Sequence, residues 1–429
     1  MEIERLYDIF KQHPSITTDT RNCLPDSIFF ALKGANFNGN EYASKAIEQG
    51  CSYAVVDEPQ FADEQKNILL VADCLKALQD LAHYHRSKFS IPVIGITGTN
   101  GKTTSKELIT AVLSKDFEVL STQGNFNNHI GVPLTLLQMS KKHEIAVIEM
   151  GANHVGEIKM LSEIADPTFG LITNIGHAHI EGFGSYENII KTKCELYDYI
   201  RTRKDGKVFI DANNDLLMKL ADGLTTIEYG QGENLFVRGK AVSNNPYMSF
   251  TWQFSKDDHL VHTHLIGEYN LSNVLAAVTV GKYFGVKKAK ISEAIAEYIP
   301  TNNRSQLKKT EKNTLVIDAY NANPTSMNAA LLNFKNLSIP NKAVILGDMR
   351  ELGADAAMEH QAIVDIVADS DIKDAFFIGE NFCKTNTSLQ CFENLNAFLE
   401  YLKANPLVDK NILIKGSRGI QLEKCVDLL

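Results

Sequence analysis

Apolar and polar positions follow three successive styles along the chain. Through residues 1–85, short apolar runs predict strands cut off by turns: SIFFAL at 27–32, SYAVVD at 52–57 and NILLVAD at 67–73. Leu75, Leu78, Leu81 and Ala82 then recur at helical spacing, so 74–89 is expected to be a helix. Ser90-Ile91-Pro92 reads as a linker, because Pro92 disfavours a helical conformation in the residue before it.

From residue 92 the runs become nearly continuous. VIGIT (93–97) precedes a helix expected from Lys102, IAVIEM (145–150) one from about His154, and FGLITNI (169–175) one from about Ser185. Strands apolar on both faces and separated by helices predict a mostly parallel sheet covered on both sides. Residues 235–266 alternate, as in MSFTWQF (248–254), which predicts an antiparallel edge; a helix is expected from about Tyr269 to Phe284. A second series begins near 313: LVIDA (315–319), AVILGD (343–348), AFFIG (375–379) and NILIKG (411–416), each with a helix expected after it. It predicts a smaller, Rossmann-like doubly wound domain. The expected fold class is therefore α/β with three domains. Residues 1–88 form a small α/β domain, 89–303 a central mostly parallel sheet, and 304–429 a C-terminal doubly wound domain.

Composition narrows the function. Of 429 residues, 44% are apolar and 22% charged, enough for a real core in each domain. Net charge is −9, with the excess of acids concentrated in residues 1–85, and no segment is basic enough to neutralise a nucleic-acid backbone. Nucleic acid is therefore not an expected partner, and any phosphate must be held locally. The seven cysteines (Cys23, Cys51, Cys74, Cys194, Cys383, Cys391, Cys425) are scattered, with no C-x-x-C pair. That disfavours a disulfide framework or zinc ribbon and predicts reduced thiols in a cytosol. The acid-bearing N-terminus does not resemble a signal peptide, and no apolar run reaches the ~18 residues a membrane span needs. The expectation is a soluble, cytoplasmic protein that works as a monomer.

Gly95-Ile-Thr-Gly98-Thr-Asn-Gly101-Lys102-Thr103-Thr104 directly follows the strand VIGIT and opens a helix. Its glycines allow a tight turn, and the amides of the turn and helix start would point at phosphate oxygens. Lys102 would reach the β- and γ-phosphates and the Thr103 hydroxyl would coordinate Mg²⁺. Gly98 and Gly101 stand closer together than in the strict P-loop, so this is a variant loop.

Three more segments offer ligands. Glu149, at the end of IAVIEM, reads as an acidic Mg²⁺ ligand or as a capping carboxylate. Thr173-Asn-Ile-Gly-His177-Ala-His179 places two imidazoles after the next strand, as metal ligands or as structural histidines. Lys193, in ENIIKTKCELY (187–197), is either part of a solvated helix face or a shielded lysine. A shielded lysine can lose its proton, add CO₂ and present carbamate oxygens to Mg²⁺.

With these motifs stand IEMGANHVGEI (148–158), GEYNLSN (267–273), IDAYNANPTSM (317–327), GDMRELG (347–353), KGSRGIQLE (415–423) and, near the N-terminus, TTDTRNCLPDSIFFALKGANFNGNEY (17–42). Together, and in their order along the chain, they resemble the Mur ligases of peptidoglycan synthesis over nearly the whole chain. The resemblance implies an ATP-dependent amide ligase that activates a carboxylate as an acyl phosphate. The AYNANPTSM, GDMRELG and KGSR signatures imply the step that adds D-alanyl-D-alanine to UDP-N-acetylmuramoyl-tripeptide.

The resemblance also implies roles residue by residue. Thr99, Asn100, Gly101, Lys102, Thr103 and Thr104 bind ATP phosphates. Thr103 and Glu149 hold one of two Mg²⁺ ions, and His179 with carbamylated Lys193 belongs to the second; Lys102, Lys193, His179 and Glu149 form the catalytic set. Asn270 and Asn273 lie near adenine, and Arg304, Asp318 and Asn321 meet ATP when the domains close about a hinge at 300–312. Asp19, Thr20 and Arg21 contact the uridine diphosphate, Asn127 and Asn128 the muramoyl-peptide, and Ser417 and Arg418 the incoming dipeptide. The alternatives are a Mur-type ligase or folylpolyglutamate synthetase with another acceptor, and a P-loop ATPase that ligates nothing.

Overall fold

Strands form where the apolar runs predict them and sort into three larger sheets in the computed structural model, which describes residues 1–429 except 179, 256 and 302. The first sheet pairs Ser15–Thr17, Ser27–Phe30, Tyr53–Val56 and Ile68–Leu70, all parallel. The helix Cys74–Arg86 buries Leu78, Leu81 and Ala82 in the same core as Phe29 and Val55. Asp73 starts this helix by accepting from the Lys76 amide at 2.8 Å, which satisfies a donor the helix itself cannot.

The second sheet has nine strands. Val93–Thr97 lies between Ile145–Glu149 and Phe169–Ile172, parallel to both, so three carboxyl ends emerge side by side. The alternating stretch becomes the expected antiparallel edge of Val237–Asn244, Tyr247–Phe254 and Asp257–Ile266. The helix Leu271–Tyr283 is apolar nearly all round because it is wedged against the sheet and the helix Lys102–Leu113. Val274, Ala277 and Val278 share one core with Leu108, Ile109 and Val112. The third sheet has six strands, with Asn411–Lys415 between Thr314–Asp318 and Lys342–Gly347, and Gln306–Lys309 as an antiparallel edge.

Several expectations change. FGLITNI is a strand only to Ile172, because Thr173–Gly176 turn away to bond the phosphate loop. The helix after IAVIEM starts at Glu157 rather than His154. NILIKG is followed by 3₁₀ turns, Arg418–Ile420 and Leu422–Leu428, and AFFIG by a helix of only four residues, Glu380–Cys383. The reading of all seven cysteines as reduced thiols is corrected: Cys383 and Cys391 form a disulfide. It ties that short helix to the strand Gln390–Phe392, a pairing made by a loop returning to the sheet and invisible in a C-x-x-C search. No helix among the described residues is long and apolar enough to cross a membrane.

Candidate active site

Gly98 and Gly101 shape the turn after Val93–Thr97. Gly98 has φ 145°, and a Cβ there would stand 2.0 Å from Thr173 Oγ1; Gly101 has φ 79°, and its Cβ would meet Asn273 Oδ1 at 2.6 Å. Only glycine fits either position. The loop is stitched to the neighbouring segment. The Thr99 amide donates to Asn174 O at 2.9 Å, the Asn100 amide to Asn174 Oδ1 at 3.0 Å, and Thr173 Oγ1 to Asn100 O at 2.6 Å. Lys102 curls back over the loop, its Nζ donating to Gly98 O at 2.8 Å and Thr99 O at 2.9 Å. Burial draws its pKa down to about 8; Glu149 opposes that shift and Arg304 adds to it.

The helix start and the next strand meet at Thr103 and Glu149. Thr103 Oγ1 donates to Glu149 Oε1 at 3.1 Å, and Asn127 Nδ2 donates to the same oxygen at 2.8 Å. Glu149 Oε2 is buried with no hydrogen-bond partner. A buried, unpaired carboxylate oxygen beside a hydroxyl is the donor set a hard cation takes. Among the described residues there is no cluster of three or more His, Cys, Asp or Glu able to hold a metal. Lys193, on the helix Tyr186–Arg201, is only 3% exposed, its ammonium 5.7 Å from the centre of the Phe183 ring. Burial, then the positive charge of Lys102, hold its pKa well below the usual lysine range, against the pull of Glu157 and Glu195.

The phosphate loop, Thr103 and Glu149 open into a cavity of about 540 Å³ whose opposite wall comes from the third sheet; Lys193 is not among the residues that line it. On that wall the Arg304 guanidinium lies over the Tyr320 ring at 3.8 Å; the Arg418 guanidinium, outside the cavity lining, is 5.9 Å from the same ring. Lys415 is 1% exposed and donates to Asp318 Oδ2 at 2.5 Å, while the Ser305 amide donates to Asp318 Oδ1 at 3.2 Å. The cavity is thus bounded by the carboxyl ends of strands from two sheets, with a cation and an acid on each wall: Lys102 and Glu149 on one, Arg304 and Asp318 on the other.

The family models "Mur ligase family, catalytic domain", "Mur ligase middle domain" and "Mur ligase, glutamate ligase domain" match residues 14–86, 96–281 and 303–418. The UDP-N-acetylmuramoyl-tripeptide–D-alanyl-D-alanine ligase of Bacillus subtilis (strain 168) is 35% identical over 96% of this chain and 92% of its own. The chain belongs to the Mur ligase family. The Escherichia coli (strain K12) ligase of the same name is 30% identical over 97% of this chain and 93% of its own. The crystal structure of MurF from Acinetobacter baumannii superposes with a TM-score of 0.87 at 30% identity, covering 96% of this chain and 93% of that one. MurF ligase from Thermotoga maritima in complex with ADP shares the fold, with a TM-score of 0.85 at 23% identity over 98% and 97% of the two chains.

Within this Mur ligase the expected site residues are not all brought together. Thr99 to Thr104, Glu149, Asn270, Asn273, Arg304, Asp318 and Asn321 all line the cavity, as do Asn127 and Asn128. Asn273 is held by its neighbours, accepting from Ser105 Oγ at 3.0 Å and donating to Asn270 Oδ1 at 2.9 Å. Asn128 is turned to its own helix, accepting from the Gly131 amide at 2.9 Å. Asp19, Thr20 and Arg21 are not among the cavity-lining residues and form a local knot on the first sheet's domain. Arg21 Nη2 donates to Asp19 Oδ2 at 2.7 Å, which holds the Asp19 carboxyl down to about 2. Ser417 is buried, taking the Arg350 amide at 2.9 Å, whereas Arg418 is exposed. His177 stacks on Tyr186 with ring centres 4.5 Å apart, and His179 lies outside the described residues. Tyr320, Lys415 and Asn174 were missed by the sequence reading, although each sits in a quoted motif at or just past a strand's carboxyl end.

Proposed function

We propose that this Mur ligase joins D-alanyl-D-alanine to UDP-N-acetylmuramoyl-tripeptide at the expense of ATP, making the UDP-linked pentapeptide precursor of peptidoglycan. The observation that carries the reading is the cavity itself: a phosphate loop and an unpaired buried carboxylate oxygen face an arginine–tyrosine stack from a second sheet. The full-length match to relatives of that name supports the choice of substrates.

A carboxylate resists amine attack because its carbon is poorly electrophilic. In the proposed reaction a tripeptide carboxylate oxygen bonds to the γ-phosphorus of ATP as ADP leaves. The dipeptide amine then bonds to the acyl carbon, loses a proton and expels phosphate. Two anions must meet, so the residues around them have to supply positive charge. Lys102 releases Gly98 O and Thr99 O and turns to the β- and γ-phosphates, and the loop amides at 99–103 donate to the same oxygens. Thr103 and Glu149 would hold Mg²⁺, and Lys193 as a carbamate, with His179, is assigned to a second ion. When bound, magnesium neutralises the phosphates and favours attack at phosphorus. Arg304, Asp318 and Asn321 are assigned to ATP from the opposite wall, with Asn270 and Asn273 behind the loop near adenine. Asp19, Thr20 and Arg21 are assigned to the uridine diphosphate, Asn127 and Asn128 to the muramoyl-peptide, and Ser417 and Arg418 to the dipeptide. A cytoplasmic monomer fits this role. Closure over the acyl phosphate would keep water from it.

Phosphate release by the purified chain tests the reading: it is expected only when ATP, UDP-muramoyl-tripeptide and D-alanyl-D-alanine are all present. Equal release without the dipeptide would show an ATPase and end the proposal.

A further inference from the structure

One polar contact across the seam between the second and third sheets has no part in the reaction just described. Asn100 in the phosphate loop faces Asn323 at the start of the helix Pro324–Asn336. Asn323 Nδ2 donates to Asn100 Oδ1 at 2.9 Å, and Asn100 Nδ2 approaches Asn323 Oδ1 at 3.5 Å. The orientation of Asn323 is not free. Its Oδ1 also caps the helix, accepting from the Ser326 amide at 2.8 Å, while Ser326 Oγ accepts from the Asn323 amide at 3.1 Å. With the oxygen committed to the cap, the donor end of the amide is the one left to meet the phosphate loop. Asn100 is held from behind as well, its carbonyl accepting from Thr173 Oγ1 at 2.6 Å and Asn174 Nδ2 at 3.0 Å. Beside the pair, Thr325 Oγ1 stands 2.9 Å from where a side chain on Gly176 would begin, and the Gly176 amide donates to Thr99 Oγ1 at 2.9 Å.

We propose that Asn100 and Asn323 are a positioning pair that couples seating of the C-terminal domain to the shape of the phosphate loop. This rests on the reading of that loop as the ATP site. The pair touches no reacting atom. Its effect is to make the loop's geometry depend on where the other domain sits. With the domains parted, Asn100 loses its partner and the amides at 99–103 lose one constraint on their aim. Nucleotide then selects a less populated state, and its apparent affinity falls by that fraction.

The test uses the full chain. Asn323→Ser keeps the cap, since serine accepts from the same amide, but it is too short to reach Asn100. Asn100→Ala removes the other half. Calorimetry with MgATP, steady-state kinetics, thermal melting and small-angle scattering without nucleotide are compared across both single variants and the double. Each single is expected to raise the dissociation constant for ATP about tenfold, with the double no worse than either. For Asn323→Ser the kcat is expected to stay within about twofold, since Asn323 makes no transition-state contact. Scattering is expected to show a more extended particle, and Asn323→Ser to melt where the parent does. Parent-like affinity in either single variant, or losses that multiply in the double, overturns the proposal. If Asn323→Ser melts early, Asn323→Asp decides, because its carboxylate keeps the cap oxygen but has no hydrogen to donate to Asn100. A parent chain that fails to bind ATP sinks the ligase reading instead.

Discussion

Thr103 Oγ1 and Glu149 Oε1 are joined at 3.1 Å across 46 residues of sequence, so the phosphate helix and the neighbouring strand share one carboxylate. That oxygen is doubly served, by Thr103 and Asn127, while its twin Oε2 is buried and unpaired. An unsatisfied buried polar atom costs the free protein on the order of 1–3 kcal/mol, the kind of strain a binding site retains. Glu149→Gln removes the buried charge. It is expected to raise the melting temperature of the nucleotide-free chain while lowering ligation about a hundredfold or more and weakening the response to Mg²⁺. Thermal melting with a magnesium titration checks both halves. A variant that melts lower and ligates at the parental rate contradicts the assignment.

Lys102 gives a pH signature. Its pKa falls from 10.5 to about 8 in the folded chain, chiefly through burial. The unfolded state therefore binds this proton more tightly. The group opposes folding below about pH 8, and its penalty fades as pH rises from about 8 towards 10.5. Stability and affinity move in opposite directions over that window, because phosphate binding calls for the ammonium form. Affinity for MgATP is expected to fall by up to about tenfold per pH unit above about 8. Calorimetry in buffers of different ionisation heat should record proton uptake on binding. Lys102→Met is expected to remove both signals, and a parental affinity that stays flat from about pH 7.5 to 9.5 rules the role out.

What could be read in advance was what repeats along the chain or is chemically local. Near-continuous apolar strands told of a parallel sheet, and the run from Gly98 to Thr104 told of a phosphate loop, because a turn and a helix start are built from adjacent residues. Glu149 was legible as the residue that ends a strand. The contacts that complete the cavity were not. Asn100 and Asn323 are 223 residues apart, and Arg304 reaches the Tyr320 ring from the chain segment joining two sheets. Such pairs depend on how two sheets meet, which no periodicity encodes. The Cys383–Cys391 bond was hidden for a related reason: its spacing matches no motif, and only the return of the loop to the sheet brings the thiols together.

Asn273 stands behind the loop. Its amide accepts from Ser105 Oγ and donates to Asn270 Oδ1, and its Oδ1 fills the space a side chain at Gly101 would need. Asn273→Ala leaves two buried polar groups without this partner and is expected to cost about 1–2 kcal/mol in denaturant unfolding. Because the loop loses its backing while the reacting groups stay in place, the KM for ATP should rise with kcat largely retained. A large loss of kcat at unchanged KM would move Asn273 into the chemistry itself.

Lys193 is the residue whose chemistry departs furthest from its type. At 3% exposure, with Phe183 on one side and the charge of Lys102 nearby, its ammonium form is disfavoured. A neutral amine can bond to the carbon of CO₂ and release a proton, replacing a cation with an anion beside the phosphates. Lys193→Ala is expected to lower ligation about a hundredfold or more without lowering the melting temperature, since it removes a buried group that is poorly solvated. Short carboxylic acids should restore part of the activity by filling the vacated space with an anionic oxygen pair. The parental enzyme, stripped of CO₂ and bicarbonate, should slow and then recover when bicarbonate is returned. Near-normal turnover by Lys193→Ala would refute any catalytic role. Rescue by neutral amides as readily as by carboxylates would refute the anion, because an amide of the same shape fills the space but carries no charge to set against magnesium.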